Sequence, residues 1–233
     1  TELFSKMGKL GYLCPGYPTE YGGGGLGEVG TCIMAEELAR VCSGITSGLM
    51  VQSGLSTFPI LAHGSEEQKQ RFLVPAIRGD RIVADGLTEP NAGSDANAGK
   101  TNAVLSDDGK HYLLNGQKMW ITNSGFADVI TVFAKIDNDR VLSAFIVERN
   151  FPGIVFNPEE KKMGIKGSST RQIFFNDCKV PVENLLGNRG QGFRIALNIL
   201  HMGRIKLGGN VLGAAKYAIN QSVQYANERK QFG

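Results

Sequence analysis

The residues Leu87-Thr88-Glu89-Pro90-Asn91-Ala92-Gly93-Ser94-Asp95 are the first stretch whose types and spacing could do chemistry. Pro90 fixes its own φ and disfavours the α region for Glu89, so an extended segment must stop here. Asn91, Gly93, Ser94 and Asp95 bring turn chemistry: tolerance of left-handed φ, and short hydroxyl and carboxylate acceptors. Backbone N–H groups turned outward beside small side chains suit an anion or the edge of a polar heteroaromatic ring. The same residues also make an ordinary surface turn, and local chemistry favours that reading until the rest of the chain is considered. A second glycine-rich stretch, Gly22 to Gly25, fits neither G-x-G-x-x-G nor G-x-x-x-x-G-K-[ST] and reads as a flexible connector.

The elements around this stretch change character along the chain. Leu3, Phe4, Met7 and Leu10 follow helical spacing with Gly11 as a stop. Ile33, Met34, Leu38 and Val41 predict the apolar face of an amphipathic helix, with Glu36, Glu37 and Arg40 on its wetter side. A more apolar helix is predicted over about 45–62. Ser65-Glu66-Glu67-Gln68 reads as a capping box, followed by a buried face of Phe72, Leu73, Ala76 and Ile77 and a closing Gly79. From Arg81 the period becomes two. Strands are predicted at 82–87, 100–105, 111–114, 117–122, 129–134, 141–147 and 172–175. The turn signals between them are Asp107-Asp108-Gly109, Asn115-Gly116, Asn123-Ser124-Gly125 and Asp137-Asn138-Asp139. Short strands with no helix between them favour an antiparallel barrel or sandwich over βαβ units. After Gly192, the residues Phe193, Leu197, Leu200, Arg204, Leu207, Val211, Ala215, Ile219 and Val223 recur at steps of three and four. They mark a helix of more than 30 residues that must pack against partners outside it. The expected division is a helical unit at 1–80, a β unit at 81–187 and the first long helix of another helical unit at 188–233. Helical spacing begins at the first residue and runs almost to the last, the pattern expected of an internal piece of a larger protein.

The totals exclude several classes. Of 233 residues, 42% are hydrophobic and 20% charged, which is ordinary for a globular protein with a real core. A net charge of +3 argues against nucleic acid or an anionic membrane as partner. Cys14, Cys32, Cys42 and Cys178 show no C-x-x-C spacing, and His63, His111 and His201 are scattered, so no metal site is expected. Isolated reduced thiols are expected. No apolar run approaches the ~20 residues needed to span a bilayer.

Several stretches are recognisable when taken in order. Leu87 to Asp95 resembles the first signature of acyl-CoA dehydrogenases. Asn115-Gly116-Gln117-Lys118-Met119-Trp120-Ile121-Thr122-Asn123 resembles the family's second flavin-contacting strand. Lys162-Met163-Gly164-Ile165-Lys166-Gly167-Ser168-Ser169-Thr170 resembles its substrate-side segment, and Val180-Pro181 with Asn184-Leu185-Leu186-Gly187 its exit from the β-domain. Arg229-Lys230-Gln231-Phe232-Gly233 is similar to the R-x-x-F-G that ends its long helix. The resemblance covers essentially the whole chain with the right spacing.

That resemblance implies a helical N-terminal domain, a middle β-domain and a C-terminal helical bundle, with FAD held between domains and subunits. Leu87 and Thr88 would hydrogen-bond the isoalloxazine edge. Gly93 and Ser94 would lie near the flavin and the acyl-CoA headgroup. Trp120 would cover one flavin face, with Ile121 beside it and Thr122 reaching the N5 region. Ser168 would contact the CoA moiety and Arg204 the CoA end of the pocket. Arg229 and Phe232 would reach the FAD of a neighbouring subunit in a homodimer or homotetramer.

The implied reaction is α,β-dehydrogenation of a fatty acyl-CoA: a carboxylate takes the α-proton, hydride passes to flavin, and electrons go on to an electron-transfer flavoprotein. In some members the base precedes the matching arginine on the long helix. Here that position is Gly203, so a glutamate base is expected beyond Gly233, and residues 1–233 alone are expected to be inactive. The Gly203-Arg204 pair resembles very-long-chain members and implies a medium- to long-chain preference. Bacterial cytoplasm or the mitochondrial matrix is the implied location. Two other readings stay open: an acyl-CoA oxidase or nitroalkane-oxidase-like flavoenzyme on the same scaffold, and a truncated, non-catalytic binding protein.

Overall fold

The structure, a computed structural model, describes residues 1–137 and 139–232. Asn138, in the expected turn before Asp139, and Gly233, the last residue of the R-x-x-F-G string, lie outside the described residues. Helices occupy the first part: α1 (Glu2–Lys9), α2 (Gly27–Met50), α3 (Phe58–His63), α4 (Glu66–Gln68) and α5 (Val74–Arg78). The Ser65 capping box is formed, with Ser65 Oγ accepting from Gln68 N and Gln68 Oε1 accepting from Ser65 N. Gly79 closes α5 in the left-handed region, at φ 74°.

Two helical expectations change. The segment predicted over 45–62 is the end of α2, then a π-type turn at Val51–Leu55, then α3. On α2, Met34 and Leu38 reach the core, whereas Ile33 and Val41 are exposed, Val41 to 88%. Its buried residues are instead small, among them Thr31, Ala35, Ala39, Gly44 and Gly48. Small residues let backbones approach but carry little hydrophobic signal. The Gly22–Gly25 run is a close-packed turn and no loose connector: Gly22, Gly23 and Gly25 donate to the carbonyls of Thr19, Pro18 and Tyr17. Gly22 and Gly25 take φ of 92° and 66°.

The middle of the chain is an eight-stranded sheet: β1 (Val83–Gly86), β2 (Asn102–Leu105), β3 (His111–Thr122), β4 (Val129–Ile136), β5 (Ser143–Glu148), β6 (Ile154–Phe156), β7 (Thr170–Pro181) and β8 (Leu185–Leu186). The order is β6-β7-β3-β2-β4-β5-β8, with β1 on β4. Most pairs are antiparallel as expected, but β1 and β2 each pair with β4 in parallel. The two segments predicted at 111–114 and 117–122 form one strand, and Asn115-Gly116 is an irregularity in its ladder to β7 where a turn was predicted. β6 and β8 are too short to show a period of two.

The last element, α6 (Gly192–Glu228), is 37 residues long. It packs against α2 through Lys206, Asn210 and Gly213, all buried. A Cβ at Gly213 would stand 2.0 Å from the Glu36 carbonyl oxygen, so only glycine permits this approach. The stripe of Leu197, Leu207, Val211, Ile219 and Val223 is exposed, as expected of a helix whose partners lie elsewhere. No helix among the described residues is long and apolar enough to cross a membrane.

Candidate functional site

Where β1 ends, the chain turns at the bend anticipated from Pro90. Glu89 and Ala92 exchange two backbone hydrogen bonds of 3.1 Å, closing a four-residue turn. Thr88 O accepts from Met119 N at 2.9 Å, and Leu87 O accepts from Lys118 Nζ at 3.2 Å. The Leu87–Thr88 corner is therefore stitched directly to the β3 segment that carries Trp120 and Thr122.

Behind the corner the polar groups are paired. Glu89 turns inward and takes hydrogen bonds from Lys100 N (2.6 Å), Thr101 N (3.1 Å) and Lys118 Nζ (2.7 Å). Both side chains of the Glu89–Lys118 pair are buried. Burial pushes the Glu89 carboxyl upward, but the charge and hydrogen bond of Lys118, with those of Thr101 and Lys100, outweigh it and leave the group below its ordinary range. Such a pair does little for net stability, but it fixes geometry.

In front of the corner the groups are open. Register shifts between Lys118 and Ile121 let β3 bulge, and Trp120 takes a left-handed φ of 61°. A bulky residue rarely does so, and such strain gathers at sites where a side chain is re-aimed. Here the indole is turned out, 54% exposed. Among the described residues, the hydroxyls of Thr88 and Thr122 and the indole N–H of Trp120 make no hydrogen bond to the protein. Ile121 packs in the core and can offer a ligand only its backbone. Gly93 and Ser94 lie at the exposed tip of the loop.

The other anticipated residues are distributed as follows. Thr122 pairs across the sheet with Thr170, and Lys162 Nζ binds both Thr170 Oγ1 (2.7 Å) and Ser168 Oγ (3.0 Å). Ser168 is buried and its hydroxyl also donates to Ile165 O, so it shapes this segment from within. The exposed surface there is Lys166-Gly167, beside a cavity of about 560 Å³ that also contacts Glu159 and Lys161. Gly167 in turn lies against Ile45 on α2. Further along, Ser47 and Met50 of α2 and Val51 and Leu55 of the π-type turn form with Gly203, Arg204, Lys206, Leu207 and Asn210 a cleft of about 240 Å³. Arg204 stands exposed at its rim, 3.2 Å from His201 Nδ1 and without a counter-ion among the described residues. No carboxylate lines this cleft. Arg229 and Phe232 are exposed beyond α6. At 1.5 Å per residue Arg229 lies about 37 Å along the axis from Arg204, so it does not join this cleft within one chain.

Three residues escaped notice as functional: Glu89 and Lys118, present in the recognised strings without a role, and Asp85. The available signal was parity, since Lys118 shares the inward side of β3 with Leu114. A lysine at an inward position requires a buried partner.

The fold joins a helical unit, an eight-stranded sheet and a long helix around this polar corner. Three domain descriptions match in order: "Acyl-CoA dehydrogenase, N-terminal domain" at 1–80, "middle domain" at 84–178 and "C-terminal domain" at 190–233. The chain belongs to the acyl-CoA dehydrogenase family. It is 50% identical to a probable acyl-CoA dehydrogenase of Bacillus subtilis over 99% of its length and 39% of that relative. It is 44% identical to a short-chain specific acyl-CoA dehydrogenase of Clostridium acetobutylicum over 100% of its length and 62% of that relative. Its structure resembles a crystal structure of an acyl-CoA dehydrogenase complexed with FAD from Bacillus anthracis, with TM-score 0.95 and 49% identity, covering 99% of this chain and 40% of that one. The chain thus spans less than two thirds of each of these proteins.

Proposed function

We propose that the chain is the flavin-holding and thioester-positioning part of an FAD-dependent acyl-CoA dehydrogenase. The observation that carries this reading is the contrast at the corner. Thr88, Thr122 and the Trp120 indole leave their polar groups without protein partners on a backbone that Glu89 and Lys118 hold rigid from behind. A ring with carbonyl and N–H edges needs such short, fixed donors and acceptors, together with an aromatic surface. The relative crystallised with FAD shares nearly this whole chain. When bound, the flavin would supply the hydride acceptor. Residues Leu87, Thr88, Gly93, Ser94 and Trp120 to Thr122 would hold it in this chain, and Arg229 and Phe232 would serve that of a neighbouring subunit. Lys166-Gly167 and Arg204 suit an anionic CoA moiety, Arg204 as a permanent cation.

The general base is proposed to come from outside residues 1–233, because the cleft has none and Gly203 cannot act as one. The division at 80 and 187 follows the change from helix to sheet and back. Electrons are proposed to leave to an electron-transfer flavoprotein, in a homo-oligomer.

On chain length, the space over Gly203 is not open. A Cβ there would lie 2.9 Å from Leu55 Cδ2, so Leu55 already fills the room that a glycine would leave for a longer tail. With a relative named short-chain specific, this favours short acyl groups over the medium- to long-chain preference that Gly203-Arg204 suggested.

Anaerobic addition of butyryl-CoA to the FAD-loaded protein, with its base-bearing sequence, should bleach the flavin bands. Palmitoyl-CoA should act poorly, and Leu55→Ala should shift kcat/KM towards longer chains by about 10-fold or more. Rapid peroxide formation on exposure to air would replace the dehydrogenase by an oxidase. A protein that never takes up FAD would leave the non-catalytic reading.

A further inference from the structure

Asp85 sits two residues before Leu87, at the end of β1. Its Oδ1 is buried with no hydrogen-bond partner. An orphaned carboxylate oxygen next to a functional turn needs a reason, because burying an unpaired acceptor is costly. The nearest cation is Lys118, whose aliphatic stem lies against Gly86, where a Cβ would be 3.6 Å from Lys118 Cγ. An ammonium has three donors. Lys118 uses one on Glu89 Oε1 at 2.7 Å and one on Leu87 O at 3.2 Å, the longer and weaker of the two.

We propose that Asp85 is a positioning residue for the Leu87–Thr88 corner, acting through Lys118: when ionised it draws the ammonium toward itself and lengthens the bond to the Leu87 carbonyl, and when protonated it leaves that bond in place. The inference deepens the flavin reading above, because the Leu87–Thr88 edge is where that reading places the ring. Glu89 is the fixed counter-ion, held by three protein donors, and Asp85 the variable one. Fully ionised, the cluster carries two carboxylates and one ammonium, with Glu89 and Lys118 buried and Asp85 half-buried, and protonating Asp85 neutralises it. Among the described residues, β3 brings Lys118 itself to β1, and β4 and the π-type turn bring no competing charge. β4 offers Val129, Ile130, Thr131 and Val132, and the π-type turn region offers Gln52 and Ser56, both bonded to Val83. Burial pushes the Asp85 carboxyl up to about 7, against the opposing pull of Lys118, so the two states exchange near neutral pH.

The test compares the wild-type protein with Asp85→Asn, a nearly isosteric change. Trp120 reports on the corner, since its neighbour Met119 holds Thr88. Flavin-free wild-type protein should show an inflection of Trp120 emission near pH 7, and Asp85→Asn should lose it. The folded state raises this acid's pKa, so it binds more protons than the unfolded chain between the two values, and stability falls as pH rises through that window. Asp85→Asn should therefore melt several degrees higher than wild type at pH 8, and the difference should shrink steadily as pH falls toward the unfolded carboxylate value of about 4. Superimposable emission titrations, or a melting difference independent of pH, overturn the proposal. In the FAD-loaded proteins the visible flavin band should shift over the same pH range in wild type only, which a merely structural Asp85 would not cause. Failure of both proteins to take up FAD sinks the flavin reading instead, and the flavin-free curves still decide this one.

Discussion

Two lysines are buried among the described residues, and they are held in opposite ways. Lys118 in the sheet meets Glu89 at 2.7 Å, and Glu89 is itself saturated by backbone donors. Lys206 in the helix seam meets Glu28 at 3.5 Å and Ser53 O at 3.3 Å, while Glu28 Oε2 has no hydrogen bond and the Glu28 side chain is 36% exposed. The Ser53 carbonyl lies in the π-type turn, where Ser53 has a non-helical ψ of 17°. An irregular turn frees a carbonyl, and Lys206 takes it. The first lysine is part of a closed network that fixes a site. The second fills a defect between helices and keeps partial access to water. Burial alone therefore does not identify the functional lysine; saturation of its partner does.

The difference can be broken in graded steps, read as urea midpoints. Lys118→Met should cost most, about 3–5 kcal/mol, because it strands the Glu89 carboxylate in the interior. A loss below 1 kcal/mol would mean that Glu89 rehydrates and the network is not closed. Gly213→Ala, in the seam beside Lys206, should cost about 1–3 kcal/mol through a forced separation of α2 and α6. Wild-type stability there would show that the seam is looser than its geometry. Lys206→Met should cost about 1–2 kcal/mol, since Glu28 can turn to solvent. Glu28→Gln should change stability by less than about 1 kcal/mol. Were this last change to match Lys118→Met, the contrast between the two lysines would collapse. The sign of pH dependence sharpens it further. Glu89 is depressed in the folded state, so its contribution is present above its unfolded pKa and lost as pH falls through the folded one. Glu89→Gln should remove that part of the acid transition, opposite in sign to the effect at Asp85.

Local signals were readable in the chain and non-local ones were not. The Ser65 box and the bend at Pro90 depend on residues within a few positions, and both formed where expected. Thr88, Trp120 and Thr122 were singled out because a recurring string carries them, and the structure joins their segments through the Met119–Thr88 hydrogen bond. The outward face of α2 was misjudged because its seam is built from glycine, alanine and threonine, whose value lies in the backbone they admit. The fusion of two predicted strands into β3, and the parallel pairing of β1 and β2 with β4, are set by partners far away in sequence. Lys118 and Asp85 were silent for the same reason: whether a charged residue is buried depends on what the fold lays across it.

The length of α6 has a consequence in time as well as in space. Residues up to Gly213 are clamped against α2 and the π-type turn, whereas those from Ala215 to Glu228 are exposed and, apart from the Lys216–Glu36 ion pair, carry no side-chain bond to α2. One continuous helix should thus behave as two in amide hydrogen exchange. The clamped half should open only with the core, and the remainder should fray with little cost. Any slowing of exchange beyond Ala215 in the working protein is then a direct footprint of whatever covers that surface, residue by residue.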